Sequence, residues 1–213
     1  MSADSMAEAA GAAPDGGDRP EAAPRTRSHV KLRRAAAALL DERDPAGITV
    51  TDLVNAAGVS RPTFYATYGD LADAWADAAV LRLEEAFAGL DPFADAPPAD
   101  DPAALEAIIG AALRGLEPHV AFLRRVLGGS GGPQVLHRAI DFIAGRILAT
   151  PTFGAGLKAG PLDPGLSARA IAAALVWTAG SWARSDGRGP IDDLSADLVV
   201  LLTRSVVGGL GGH

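Results

Sequence analysis

The stretch Thr49-Val50-Thr51-Asp52-Leu53-Val54-Asn55-Ala56-Ala57-Gly58-Val59-Ser60-Arg61-Pro62-Thr63-Phe64-Tyr65 carries the reading of this chain. Thr49 followed by Asp52 has the spacing of a capping box, with aspartate in place of Glu or Gln. Val50, Leu53 and Val54 give the helix that follows one apolar side. Gly58 interrupts it, because glycine reaches positive φ cheaply. Ser60 is a natural N-cap for a second short helix, and Pro62 is tolerated in its first turn. Two short helices around Ala57-Gly58-Val59 form a helix-turn-helix. Leu53 and Val59 fill the small core between them, and Arg61, Thr63 and Thr67 face outward. A helix of this width fits the major groove of B-DNA, where arginine bonds guanine and threonine touches a thymine methyl.

Upstream, residues 28–43 read as a helix with Leu32, Ala36, Leu39 and Leu40 on one face. Pro45 disfavours helix at Asp44 and stops it. Residues 1–26 are Ala, Gly, Pro, Asp and Glu with almost no large apolar group. They cannot offset their ordering entropy by burial, and a disordered tail is expected. Downstream, Asp70 caps a fourth helix running to about Gly89, with Leu71, Ala74, Trp75, Ala78 and Leu81 along one side. A Pro-, Ala- and Asp-rich loop spans Asp91 to Asp101. Further helices are expected near 102–116, 118–128, 133–149, 164–186 and 192–207, with breaks at Gly128–Gly132, Pro151–Pro164 and Gly187–Pro190. The expectation is an all-α protein of about nine helices. It divides into a tail (1–26), a three-helix helix-turn-helix domain (27–70) and a helical ligand-binding and dimerisation domain (71–213).

Composition sets the limits. The chain has 213 residues, 48% hydrophobic and 21% charged, which suits one large domain or a small one joined to a larger one. It has no cysteine, so disulfides, thiolate metal sites and cysteine nucleophiles are excluded. Its four histidines are scattered, and neither a metal nor a cofactor is expected. The longest uncharged apolar run near the C-terminus, Ala170 to Ala183, is shorter than the ~20 residues of a membrane helix. No membrane association and no secretory signal are read, which points to the cytoplasm.

The net charge of −7 is unevenly spread. Residues 1–24 hold one arginine and five acids, and residues 25–70 hold seven Lys/Arg and five acids. Residues 71–213 hold 11 Lys/Arg and 16 acids. A pI of about 5.0 argues against coating nucleic acid with the whole surface. It leaves room for a local footprint, because phosphate attraction is screened beyond ~8–10 Å. Arg25, Arg27, Lys31, Arg33 and Arg34 form such a cluster, for which charge alone favours a solvated helix face.

The residues Thr49–Leu53, Ala57–Tyr65 and Tyr68-Gly69-Asp70 together resemble the N-terminal domain of TetR-type transcriptional regulators, over about residues 29–75. Beyond residue 75 the likeness is one of length and helical architecture. The resemblance implies that Ser60 opens a helix entering the major groove, with Arg61, Pro62 and Thr63 facing bases. It implies Tyr65, and Thr67 or Tyr68, near the sugar-phosphate backbone. Val50 and Thr51 lie by a phosphate at a helix N-terminus. Phe64 is core. Core packing competes with contact for both tyrosines and is the stronger reading for Tyr68. The family usually has lysine where this chain has Leu71, and often Gly plus an aromatic where it has Asp44-Pro45. Lys31, with Arg25, Arg27 or Arg34, is the expected compensation for the missing lysine.

The resemblance further implies a homodimer on an inverted-repeat DNA operator and a small, largely apolar effector. The expected dimer residues are Ala172, Val176, Ala179, Gly180 and Ala183, a small-residue strip, with Leu194, Leu198 and Leu201 on the last helix. The expected ligand residues are His119, His137, Asp141 and Trp177. Trp177 and Trp182 are about 140° apart around a helix, so they cannot both face one neighbour; a pocket for one and an interface for the other is an alternative, and core or interface packing is the stronger reading for each. Two other readings stand beside the repressor: a DNA-binding regulator with no small-molecule effector, and an all-helical ligand-binding module or enzyme. No convergent acid, base, nucleophile or metal set supports the enzyme. Glu84-Glu85 and Asp192-Asp193 are adjacent on helices and point apart.

Overall fold

The structure, a computed structural model, describes residues 24–88, 90 and 101–207. The expected tail lies almost entirely outside the described residues, as does most of the 91–101 loop. Among the described residues there is no strand, and there are ten α-helices. They are α1 (Pro24–Glu42), α2 (Val50–Ala57), α3 (Arg61–Tyr65), α4 (Leu71–Ala86), α5 (Pro102–Leu116), α6 (Val120–Gly128), α7 (Gly132–Ala149), α8 (Pro151–Ala159), α9 (Pro164–Arg184) and α10 (Ile191–Val207).

Two boundaries differ from the sequence reading. Helix α1 begins at Pro24, inside the segment assigned to the tail. Proline at the start of a helix loses nothing, since its missing N–H would be unpaired there anyway. Helix α8 occupies a stretch read as a break. Pro151 stands at its first position, and Phe153, Gly154 and Leu157 are buried. Gly154 is a packing residue: a Cβ there would lie 2.5 Å from the Leu148 carbonyl oxygen. The Pro/Gly punctuation that suggested a loop therefore starts a helix and lets it approach its neighbour.

The helix-turn-helix follows the local chemistry closely. Leu32, Ala36 and Leu40 of α1 are fully buried. The Asp44 carboxylate accepts from the Ala46 N–H and opens a single 3-10 turn at Pro45–Gly47. Thr49 and Asp52 complete the capping box at α2 in both directions. The backbone N–H of Thr49, then its hydroxyl, hold the Asp52 carboxyl below its ordinary value. Gly58 ends α2 at φ +61°, and Val59 donates to the Val54 carbonyl at 3.0 Å. Ser60 accepts from the Thr63 N–H and starts α3. Phe64, fully buried, anchors α3 to the core. Burying a side chain of this size is worth about 1.5–3 kcal/mol.

A single core joins this module to the rest. Leu32, Leu40, Leu53 and Phe64 pack with Ala74, Trp75, Ala78 and Ala79 of α4 and with Phe122, Val126 and Val135 of α6 and α7. The boundary drawn at residue 70 thus falls at the N-cap of a helix that belongs to both sides. A second core unites α5, α7, α8, α9 and α10 through Leu105, Ile147, Phe153, Ala172 and Leu202. A third, smaller cluster pairs α5 with α10 through Leu113, Leu194 and Leu198.

Candidate nucleic-acid interface and cavity

Helix α3 exposes a compact set of side chains. Ser60, Arg61 and Pro62 are exposed, and Tyr65 is 59% exposed. Thr63 and Thr67 are half-buried. The Ser60 and Thr63 hydroxyls share a hydrogen bond of 2.8 Å, and the Thr67 hydroxyl donates to the Thr63 carbonyl at 2.9 Å. Among the described residues Arg61 makes no hydrogen bond or ion pair, and its guanidinium projects from the first turn of the helix. Thr51 is exposed at the start of α2. Val50 beside it is half-buried against the core, leaving only part of its side chain outside.

Tyr68 departs from the expected interface. It is 6% exposed, and its hydroxyl donates to Asp77 Oδ2 at 2.6 Å. It follows Phe64 by one helical turn, and the two rings lie 5.8 Å apart on the same inward face. Burial, then the hydrogen bond and charge of Asp77, push the phenol well above its ordinary value. Asp77 also meets His29 Nε2 at 2.7 Å and Arg33 Nε at 3.3 Å. Arg33 reaches Glu84 at 2.7 Å, so this member of the basic cluster is committed inward. Lys31 and Arg34 are exposed. Leu71, at the position where the resembled family carries lysine, packs partly into the core.

The ligand expectations need correction. A cavity of about 240 Å³ lies among α4 to α10, and none of His119, His137, Asp141 or Trp177 lines it. His119 is half-buried away from it; burial first, then the charge of Arg82, hold it below its ordinary value. His137 is exposed and pairs with Asp141 at 3.4 Å, and Asp141 pairs with Arg169 at 3.2 Å. Trp177 is 59% exposed, with the Arg184 guanidinium 5.4 Å from its ring centre. Trp182 is the tryptophan on the cavity wall, so the two indoles do part as their angular separation requires. The wall residues sequence reasoning missed include Leu83, Phe87, Ile109, Leu123, Ile143 and Arg146. Five of the six are apolar, and nothing local separates a core residue from a cavity wall.

Most of the expected dimer residues also serve the chain itself. Ala172, Ala183, Leu194 and Leu198 are buried within it. Val176, Ala179 and Gly180 line the cavity. Small residues admit close packing from any neighbour, and here that neighbour is intrachain. Only Leu201, at 37%, is exposed. The outer face of α9 and α10 is made instead by Leu166, Ala170, Ala174, Trp177 and Val200.

A short polar helix, capped by Ser60 and anchored by Phe64, completes a helix-turn-helix. Residues 32–70 match the family described as bacterial regulatory proteins, tetR family. The whole chain is similar to the solved TetR family repressor AlkX from Dietzia sp. strain DQ12-45-1b, at 21% identity and a TM-score of 0.59, over 91% of this chain and 100% of that one. It is also similar to a TetR transcriptional regulator from Rhodococcus sp. RHA1, at 17% identity and a TM-score of 0.54, over 86% and 97% of the two chains. A tetR-family transcriptional regulator from Streptomyces coelicolor gives 18% identity and a TM-score of 0.51, over 86% and 90%. No curated protein sequence matches. The resemblance to TetR-type regulators thus holds in the helix-turn-helix by sequence and across the chain by fold. No helix among the described residues is long and apolar enough to cross a membrane.

Proposed function

We propose that this protein is a homodimeric, sequence-specific transcriptional repressor, acting in the cytoplasm on an inverted-repeat operator and released from it by a small apolar ligand. The observation that carries the DNA-binding half is the exposed α3 surface, where Arg61 stands without a partner among the described residues beside Ser60, Pro62, Thr63 and Tyr65. Arg61 reads a base edge, and Thr63 lies against a neighbouring base. Tyr65, Thr67 and Thr51 meet the sugar-phosphate backbone, and Lys31 supplies phosphate attraction from α1. Tyr68 has no part in the contact. The outer face of α9 and α10, around Trp177 and Val200, is the surface left for a second copy.

The ligand half rests on shared walls. Helix α4 contributes Ala79 and Leu83 to the cavity while its Ala74 and Ala78 pack the helix-turn-helix core. Helix α6 contributes Leu123 and Leu127, and its Arg125 donates to the Leu40 and Asp41 carbonyls at 2.8 and 2.7 Å. A ligand that favours a different seating of α4 and α6 changes the spacing of the two α3 helices in a dimer. Selection of bound duplexes from a random DNA pool tests the proposal. Enrichment of an inverted repeat supports it, and a pool with no enriched sequence overturns it.

A further inference from the structure

The polar atoms around the cavity reveal which ligand it is built for. Of its wall residues only Arg146 is charged, and only Thr150 and Trp182 otherwise carry side-chain polar atoms. Each is spoken for inside the chain. Arg146 Nη2 donates to the Leu90 carbonyl at 2.9 Å, and its guanidinium stacks 4.4 Å from the Phe87 ring centre. The Thr150 hydroxyl donates to the Arg146 carbonyl at 2.9 Å. Trp182 Nε1 donates to the Gly189 carbonyl at 2.9 Å. Among the described residues the one buried side-chain polar atom without a partner is Arg82 Nε, which is not on the cavity wall.

A site that recognises a polar ligand keeps donors or acceptors in reserve, because they discriminate by being left unpaired when the wrong molecule enters. This wall leaves no hydroxyl or indole donor free, and its one guanidinium is held by the Leu90 carbonyl and the Phe87 ring. It has no carboxylate to meet a cation, and its one cation is already engaged. We infer that the cavity takes an uncharged, hydrocarbon-like molecule lacking a carboxylate, phosphate or ammonium group. Engineered apolar cavities of about 150 Å³ stay dry and hold benzene. A cavity of about 240 Å³ accordingly admits a larger hydrocarbon, a medium-length chain or a fused pair of rings. This inference rests on the reading of the cavity as the effector site and adds the chemical class.

The test uses three probes of equal length, n-octane, octanoate and octylammonium, titrated into the full chain by calorimetry with thermal melting alongside. Octane is expected to raise the melting temperature and to bind at least tenfold more tightly than either ion. Octanoate or octylammonium binding as tightly as octane, or no binding by octane, overturns the inference. Ala179→Leu, which adds bulk on the wall, is expected to weaken octane at least tenfold, and Ile109→Phe does the same from α5 should Ala179→Leu fail to fold. Unchanged octane affinity in a folded variant overturns the inference, since the hydrocarbon then sits elsewhere. Operator binding is read separately, on the selected duplex. Octane that binds without altering DNA affinity sustains the ligand class and removes the effector role. Release by an ionic compound, with octane failing to bind, sustains the effector role and removes the class.

Discussion

Arg125 on α6 donates through Nη1 to the carbonyl oxygen of Leu40, 2.8 Å away at the end of α1. The last carbonyls of a helix have no partner within it, and a cation there is favourable. The bond therefore fastens the cavity-bearing half of the chain to the first helix of the helix-turn-helix half. Hydrogen bonds that involve a charged group contribute about 1.5–3 kcal/mol. Arg125→Ala is expected to lower the unfolding free energy in urea by about that amount, and to reduce the change in operator affinity that ligand produces. An unchanged ligand response would show that the signal runs elsewhere.

Tyr68→Phe separates packing from contact. The ring stays in the core and only the bond to Asp77 is lost. Stability should fall by about 1.5–3 kcal/mol, the range for a bond to a charged acceptor. Sequence preference, read from the selected duplexes, should not move. A shifted preference would return Tyr68 to the interface.

Arg61→Ala should relax discrimination at one position of each half-site by about 1–3 kcal/mol, if its guanidinium is bidentate to guanine. Lys31→Ala, in contrast, should weaken all duplexes alike and flatten the salt dependence of binding. Competition binding at two salt concentrations distinguishes the two effects.

Gly58→Ala probes the turn alone. An added Cβ meets no atom within 4 Å, so the only cost is the left-handed backbone at φ +61°. That cost is about 1–2 kcal/mol. Chemical denaturation should register it, and operator affinity in the folded fraction should be nearly unchanged.

The capping box gives a pH prediction. Asp52 has its carboxyl held below the ordinary 3.8, first by the Thr49 backbone N–H. A carboxyl lowered in the folded state stabilises the fold above its unfolded value and loses that contribution as pH falls through the folded one. Asp52→Asn should thus be less stable than the parent at neutral pH. The two should start to converge only as pH falls below the ordinary 3.8 toward the lower folded value, a comparison thermal melting across pH can make.

The helix-turn-helix was legible because its determinants are local. Thr49 with Asp52, Gly58 and Ser60 each act within three or four residues, and each does in the structure what its chemistry predicts. Tyr68 carried two readings, and the core, which its one-turn spacing from buried Phe64 favours, is where it lies. Helix α8 was missed because Pro151 and Gly154 were read as breakers rather than as a helix start and a close approach. The cavity was not legible at all. Its wall draws residues from seven helices, and the polar groups nominated for it lie off it: His119 is half-buried elsewhere, and His137 and Asp141 pair with each other on the surface. The small-residue strip of α9 was seen correctly, but a strip of alanines does not say whether the neighbour is the same chain or another.

Four alanines of α4, at 74, 76, 78 and 79, are almost wholly enclosed. Larger side chains would mesh as ridges into grooves and fix the helix in one register. Methyl groups offer little to mesh, so at these positions α4 is held in register less by interlocking than by buried Trp75 and the Arg33–Asp77 pair. A rod of sixteen residues is about 24 Å long, and tilting it by about 5° at one end carries the other through about 2 Å. In the proposed repressor dimer, a molecule of modest size lodged where this rod ends would have leverage enough to pull a pair of reading heads out of phase with the double helix.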